Sequence, residues 1–325
     1  MKIGFTTSFP VEVIFAAGHI PVDLNNIFIT NKPQLDVREA ESTGFPRNVC
    51  AWIKGIYNCV LANDIKTVIG IIQGDCSNSQ SLLSLFEDKN IDVISFSFPY
   101  DQNRIALQNE ISKLETLFPA TNKQVAEVKA ELDDIRRMLV ELDKMTYIDN
   151  KVTGLENHYW LVNASDFFGD PARFKNELSE FLYQAKERKA LKYDLRIAYI
   201  GVPPIFLDFY DFFEQNNIAV VFNEVQRQFA MPYLHNNIID QYLSFTYPYS
   251  VFGRIKDIKK EAQLRNIDGI ISYSQAFCHR QIDNLLLKKY LPYPFLTVEG
   301  DNPINLDERT KLRLESFFDI IGGLK

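Results

Sequence analysis

Short apolar runs rich in β-branched residues alternate along this chain with longer stretches whose apolar positions recur every three or four residues. The first pattern predicts buried strands and the second amphipathic helices. Residues 11–18 read as a short helix closed by Gly18. Residues 19–24 follow as a strand, with Pro21 favouring extended backbone at Ile20. The polar stretch 31–47, with Pro33, Gly44 and Pro46, reads as a loop or short helix. Val49, Trp52, Ile53, Ile56 and Val60 mark one face of a helix over 49–61, with Cys50 in its first turn. Strands over 65–72 and 91–98, the second stopped by Pro99, flank a helix at 79–88 and form a strand–helix–strand unit.

From residue 103 to 145 the pattern is helical and charged. Val125, Val128, Leu132, Ile135, Leu139 and Leu142 make an apolar stripe too short for a coiled coil, which predicts a helix packed on a domain. Ser165 or Asp166 is placed to cap a short helix, and 174–188 reads as a longer one. A second unit then runs strand 195–200, helix 206–216, strand 218–222, helix 254–265, strand 269–272, helix 279–289, strand 294–299 and helix 308–321. Buried strands with helical crossovers predict the α/β class, as two Rossmann-like parallel-sheet domains with additional helical elements. The expected boundaries are an N-terminal domain with a helical extension over 1–150, a helical linker over 151–192 and a C-terminal domain over 193–325.

With 325 residues, 46% of them apolar, the chain is long enough to fill two cores. Lysine and arginine total 35 against 42 acids, a net charge of −7, and no basic tract carries interleaved aromatics. Nucleic acid is therefore not expected as the partner. The opening residues make a poor signal peptide, and the apolar run 11–18 is too short to span a bilayer and contains Glu12. No membrane partner and a cytoplasmic location are expected. Four cysteines do not make a disulfide framework.

Such spread thiols read either as buried, inert side chains or as a shared metal site, and three of them are the candidates for chemistry. Cys76 ends the strand pattern over 65–72, and Cys278 follows the strand over 269–272. Ligand groups of open α/β sheets lie just past the carboxyl ends of strands, so one thiol from each half points to a cleft between two α/β units. Cys50, where a helix N-terminus favours a thiolate, is the third candidate. Three thiolates at one site favour an iron–sulfur cluster, with zinc as the rival metal. Cys59 lies half a turn out of phase with Cys50 and is expected in the core.

His19 is a candidate substrate contact or proton handler, and His279 a solvated or supporting donor, while His158 and His235 have no convincing context. Glu12 is expected to pair with backbone or an arginine, and Glu224, Glu299 and Asp301 to cap loops or line the cleft. Arg47, Lys54 and Arg280 flank the thiols as candidates for ligand phosphates. The chain lacks both a G-x-G-x-x-G run and a G-x-x-x-x-G-K-[ST] loop, so any ATP used is expected to be hydrolysed by a partner.

The segment Pro10-Val11-Glu12-Val13-Ile14-Phe15-Ala16-Ala17-Gly18-His19-Ile20-Pro21-Val22 resembles the opening segment of the 2-hydroxyacyl-CoA dehydratase D-component family, which includes benzoyl-CoA reductase subunits and double-cubane cluster proteins. Cys50 and Cys76 match its first two cluster cysteines, and Asp268-Gly269-Ile270-Ile271 with Phe277-Cys278 resembles its third-cysteine region. The tail from Pro294 to Asp301, with Arg313 and Phe317, resembles its closing region. Ser77, where many members carry an acid, and Asn302 and Pro303 depart from the pattern.

The resemblance implies a [4Fe–4S] cluster on Cys50, Cys76 and Cys278 in the interdomain cleft. It implies an ATP-dependent iron–sulfur activator that delivers a low-potential electron, and a homologous partner subunit or a homodimer. The implied reaction is radical dehydration or reduction of an acyl-CoA, through a ketyl radical in the dehydratases. The alternatives are an ATP-dependent reductase component for a non-CoA small molecule and a noncatalytic iron–sulfur partner subunit.

Overall fold

The structure, a computed structural model, describes residues 1–324. Two four-stranded sheets, each wholly parallel, organise it. The first contains β1 (Lys2–Phe5), β2 (Ile20–Asp23), β3 (Thr67–Gln73) and β4 (Asp92–Ser97) in the order β2-β1-β3-β4. The second contains β5 (Leu195–Gly201), β6 (Ile218–Asn223), β7 (Gly269–Gln275) and β8 (Phe295–Gly300) in the order β6-β5-β7-β8. Helices cover both sheets, which explains why β6 and β7 are buried along their full length, the polar Ser272, Ser274 and Gln275 of β7 included. The two Rossmann-like halves thus share one strand order, and in each the order reverses beside the first strand. Ligands of open α/β sheets bind at such a reversal, outside the carboxyl ends of the strands.

β1 has no counterpart in the sequence reading. It is only four residues long, yet it lies inside the first sheet between β2 and β3. The helix expected over 103–145 is two helices, Arg104–Leu117 and Asn122–Tyr147. Pro119 and the capping box of Thr121 with Gln124 start the second one afresh, a boundary that apolar periodicity does not register. The stretch read as loop or short helix holds the ten-residue helix Pro33–Ser42, preceded by Leu24–Thr30.

The halves exchange core side chains. Val225, Phe245 and Tyr247 pack in the cluster that contains Ile3, Phe5 and Phe96. Phe28, Val37 and Ala51 pack in the cluster of Ile197, Tyr199 and Phe317. Glu12 is fully buried and bonded to Arg136 Nη2 at 2.7 Å and Tyr242 OH at 2.8 Å. That pairing satisfies the carboxylate inside an otherwise apolar helix, as expected of it. Among the described residues no helix is long and apolar enough to cross a membrane.

Candidate functional site

Both strand-order reversals open onto one cavity of about 130 Å³, well above the roughly 10–15 Å³ a single water needs. Thr6 and Thr7 reach it from the end of β1, Asp23 from β2, and Asp75 and Cys76 from beyond β3. Across the cavity stand Val202 and Pro203 from beyond β5, and Gln275, Cys278 and His279 from β7 and the turn after it. Cys50 completes the wall. Three cysteines far apart in the chain therefore line the same space.

Each of the three sits at the same kind of position. Cys50 is the N-cap of helix Ala51–Ala62, Cys76 of Ser77–Asp88, and Cys278 of the 3₁₀ turn His279–Gln281. Cys50 thus lies one position before the first turn in which the sequence placed it. None of the three thiols makes a capping hydrogen bond. Nearby amides nevertheless favour their charged form: Trp52 and Ile53 for Cys50, Ser79 and Asn78 for Cys76, Arg280 for Cys278. Burial acts against them and wins. It pushes the Cys50 thiol up to about 12 and raises the other two; repulsion from Cys278 and Cys76 adds to it at Cys50, from Asp75 at Cys76, and from Cys76 and Asp75 at Cys278. In the metal-free protein all three are protonated at neutral pH.

Local backbone fixes these positions. At Gly74 φ is +103°, and an added Cβ would fall 2.7 Å from Pro248 Cβ, so only glycine turns the chain from β3 towards Cys76. Asp75 holds the next step, accepting from Cys76 N–H at 2.7 Å and from Ser79 Oγ at 3.0 Å. Phe277, at φ +63°, makes the corresponding turn before Cys278.

A family model described as 2-hydroxyglutaryl-CoA dehydratase, D-component, matches residues 6–321. The chain belongs to this family. It is a 2-hydroxyacyl-CoA dehydratase-type component over nearly its whole length. No curated protein matches it.

The rest of the cavity wall contains Asp23, His158 and Trp52, to which the sequence assigned no site role, and Arg280, which it named. Asp23 is buried, and its carboxyl is raised mainly by that burial. His158 lines the cavity, its ring tilted 36° to that of Tyr210 at 4.9 Å, with Nδ1 3.0 Å from Gln226 Nε2. Burial pushes its imidazolium down to about 4, so the ring is neutral. The indole N–H of Trp52, also on the wall, is buried without a protein acceptor. Arg280 is the one lysine or arginine on the wall among the described residues. It lies over the Tyr247 ring and donates to Tyr247 O at 2.9 Å.

Several sequence candidates fall elsewhere. Cys59 is in the core, donating to Asp36 at 3.5 Å. His19 lies against Phe118 and the N-terminal amine, outside the cavity wall. Lys54 is buried and tied to Glu41 at 2.7 Å and to the carbonyl of Arg47, so it cannot reach a ligand phosphate. Arg47 is exposed outside the wall. Glu224 grips Arg254 through both oxygens and accepts from Gly201 N–H. Glu299 and Asp301 are exposed and off the wall. His279 is on the wall, beside Cys278. Among the described residues no group of three or more His, Cys, Asp or Glu side chains is placed to hold a single metal ion.

Proposed function

We propose that this chain is the iron–sulfur subunit of a 2-hydroxyacyl-CoA dehydratase-like enzyme, with a [4Fe–4S] cluster on Cys50, Cys76 and Cys278. The observation that carries the reading is the convergence of three cysteines, each at an N-cap position, on one cavity at two strand-order reversals. The donor set fits: soft sulfur ligands select iron–sulfur clusters among a few metals. A polynuclear core is wider than a single ion, so its ligands need not meet at single-ion distances. The unpaired Trp52 N–H is a donor of the kind that tunes cluster sulfurs.

Such a cluster, when bound, supplies a low-potential electron and an iron able to act as a Lewis acid. The chain's own residues do the rest. The three thiols release their protons on loading, against the burial that keeps them protonated otherwise. Ile53, Ile56, Val162 and Phe229 give the cavity apolar walls that exclude water. Arg280 offsets negative charge beside Cys278. Asp23 is the wall carboxyl we assign to proton handling at its Oδ atoms, since burial favours its protonated form.

The electron would come from an ATP-dependent iron–sulfur activator, as membership of the family implies. A homologous partner subunit or a second copy completes the enzyme, in the cytoplasm. A reductase for a small molecule without CoA is the second reading. It is favoured by the single cation on the wall and the engagement of Lys54.

Titrating the reduced, cluster-loaded protein with 2-hydroxyglutaryl-CoA and other acyl-CoAs under electron paramagnetic resonance separates the two. A shifted cluster signal supports the dehydratase reading. An unchanged signal across all of them contradicts it.

A further inference from the structure

His158 is reached by a buried chain of hydrogen bonds whose direction is set at its far end. Asp143 is paired with Arg265, whose Nη1 donates to it at 2.9 Å; burial alone would raise its carboxyl, but that guanidinium holds it below the ordinary value. A carboxylate only accepts, so Asn157 turns its amide nitrogen to Asp143 Oδ1 at 3.0 Å and its oxygen away. That oxygen accepts from Asn223 Nδ2 at 2.8 Å. Asn223 Oδ1 is then left to accept the Tyr210 hydroxyl proton at 2.8 Å. With its proton committed, the Tyr210 oxygen accepts from Gln226 Nε2 at 3.3 Å. The second hydrogen of the same amide faces His158 Nδ1 at 3.0 Å. Flipping Gln226 would set its carbonyl oxygen against a tyrosine oxygen that has no proton to give.

We propose that this chain locks His158 as the neutral Nε2–H tautomer, making it a fixed hydrogen-bond donor of the cavity for an acceptor oxygen of the bound ligand. The proposal deepens the functional reading above, on which it rests for the ligand's class, a carbonyl or hydroxyl oxygen of an acyl group. Nδ1 has an amide donor against it, and Nε2 has no protein partner among the described residues although the ring lines the cavity. A bare Nε2 would be a base or an iron ligand. A protonated one is neither, and it donates without adding charge. Gln226 is the positioning residue. It is fully buried, and its Oε1 has no partner, a cost the molecule bears with the amide held in this orientation.

Nitrogen-15 NMR of histidine-labelled protein reads the tautomer directly. The signal is assigned by substituting the other three histidines in turn. The expected spectrum shows His158 protonated at Nε2, bare at Nδ1 and unchanged from about pH 5.5 to about pH 8, although an ordinary histidine titrates there. In a Gln226→Glu variant the ionised side chain presents only acceptor oxygens, and Nδ1 is then expected to carry a proton. In anaerobically loaded holoprotein the Nε2 proton is expected to persist.

A proton at Nδ1 in the wild type, ordinary titration, or loss of the Nε2 proton on loading overturns the proposal. The wild-type spectrum decides even where the variant does not fold. Iron counted on the same sample keeps the two readings apart. An iron-free protein with an Nε2–H ring contradicts the cluster alone, and a loaded protein with an Nδ1–H ring contradicts the lock alone.

Discussion

Asp166 accepts a hydrogen bond from the backbone N–H of Asp23 at 2.8 Å, so two buried residues with carboxyl groups, from distant parts of the chain, stand together, Asp23 on the cavity wall and Asp166 beside it. Burial, with repulsion from Asp23 added, pushes Asp166 up to about 7 from an ordinary 3.8. Between those values the folded protein binds a proton that the unfolded chain has lost. The contribution of this group to stability is full below the lower value and falls as pH rises through the upper one.

Relative to Asp166→Asn, the wild type is therefore expected to lose about 1–3 kcal/mol on going from about pH 5 to about pH 8. Urea denaturation of both proteins across that range measures it. Parallel stability curves would show that the carboxyl is not raised.

The Glu12–Arg136 pair joins residues 124 positions apart in a fully buried setting. Glu12→Ala leaves the guanidinium without its main partner and is expected to cost about 3–5 kcal/mol in urea denaturation. A loss near zero would mean the pair is not buried in solution.

At Gly74 a methyl group meets Pro248 while the backbone is held at φ +103°. Gly74→Ala is expected to destabilise the fold by about 1–3 kcal/mol. Because the strain falls two residues before Cys76, it should also weaken iron retention. Unchanged stability and unchanged iron content together would contradict the tight turn.

Thiolate, not thiol, reacts with alkylating agents. Burial pushes Cys50 up to about 12, and burial together with Asp36 raises Cys59. Iodoacetamide at neutral pH should therefore modify these residues in the reduced, metal-free protein on the order of a hundredfold more slowly than free cysteine. Modification at the free-cysteine rate, followed by peptide mass spectrometry, would refute the burial.

Much of this architecture is legible in residue patterns, for physical reasons that vary by element. β6 is buried on both faces and appears as the unbroken apolar run Ile218–Phe222, while β7 is equally buried but apolar only at its start, at Ile270 and Ile271. Helix Ala51–Ala62 shows its apolar face plainly, and Cys50 and Cys76 each precede a helix by one residue. β1 escapes notice because Lys2–Phe5 is short, and its place comes from partners 18 and 64 residues away in the chain. His158 had no local context to read. Its role is set by Gln226, 68 residues on, and by a relay that ends at Arg265. Lys54 misled in the opposite sense, since nearness in sequence to Cys50 says nothing of the Glu41 carboxylate that holds it.

Iron and acid-labile sulfide per chain, counted after anaerobic reconstitution of the wild type, Cys76→Ser and Cys59→Ser, test the central claim most directly. The three-thiol site predicts about four of each in the wild type and in Cys59→Ser, and loss of most of both in Cys76→Ser. A wild type that binds no iron, or a Cys76→Ser protein that binds as much, would contradict it.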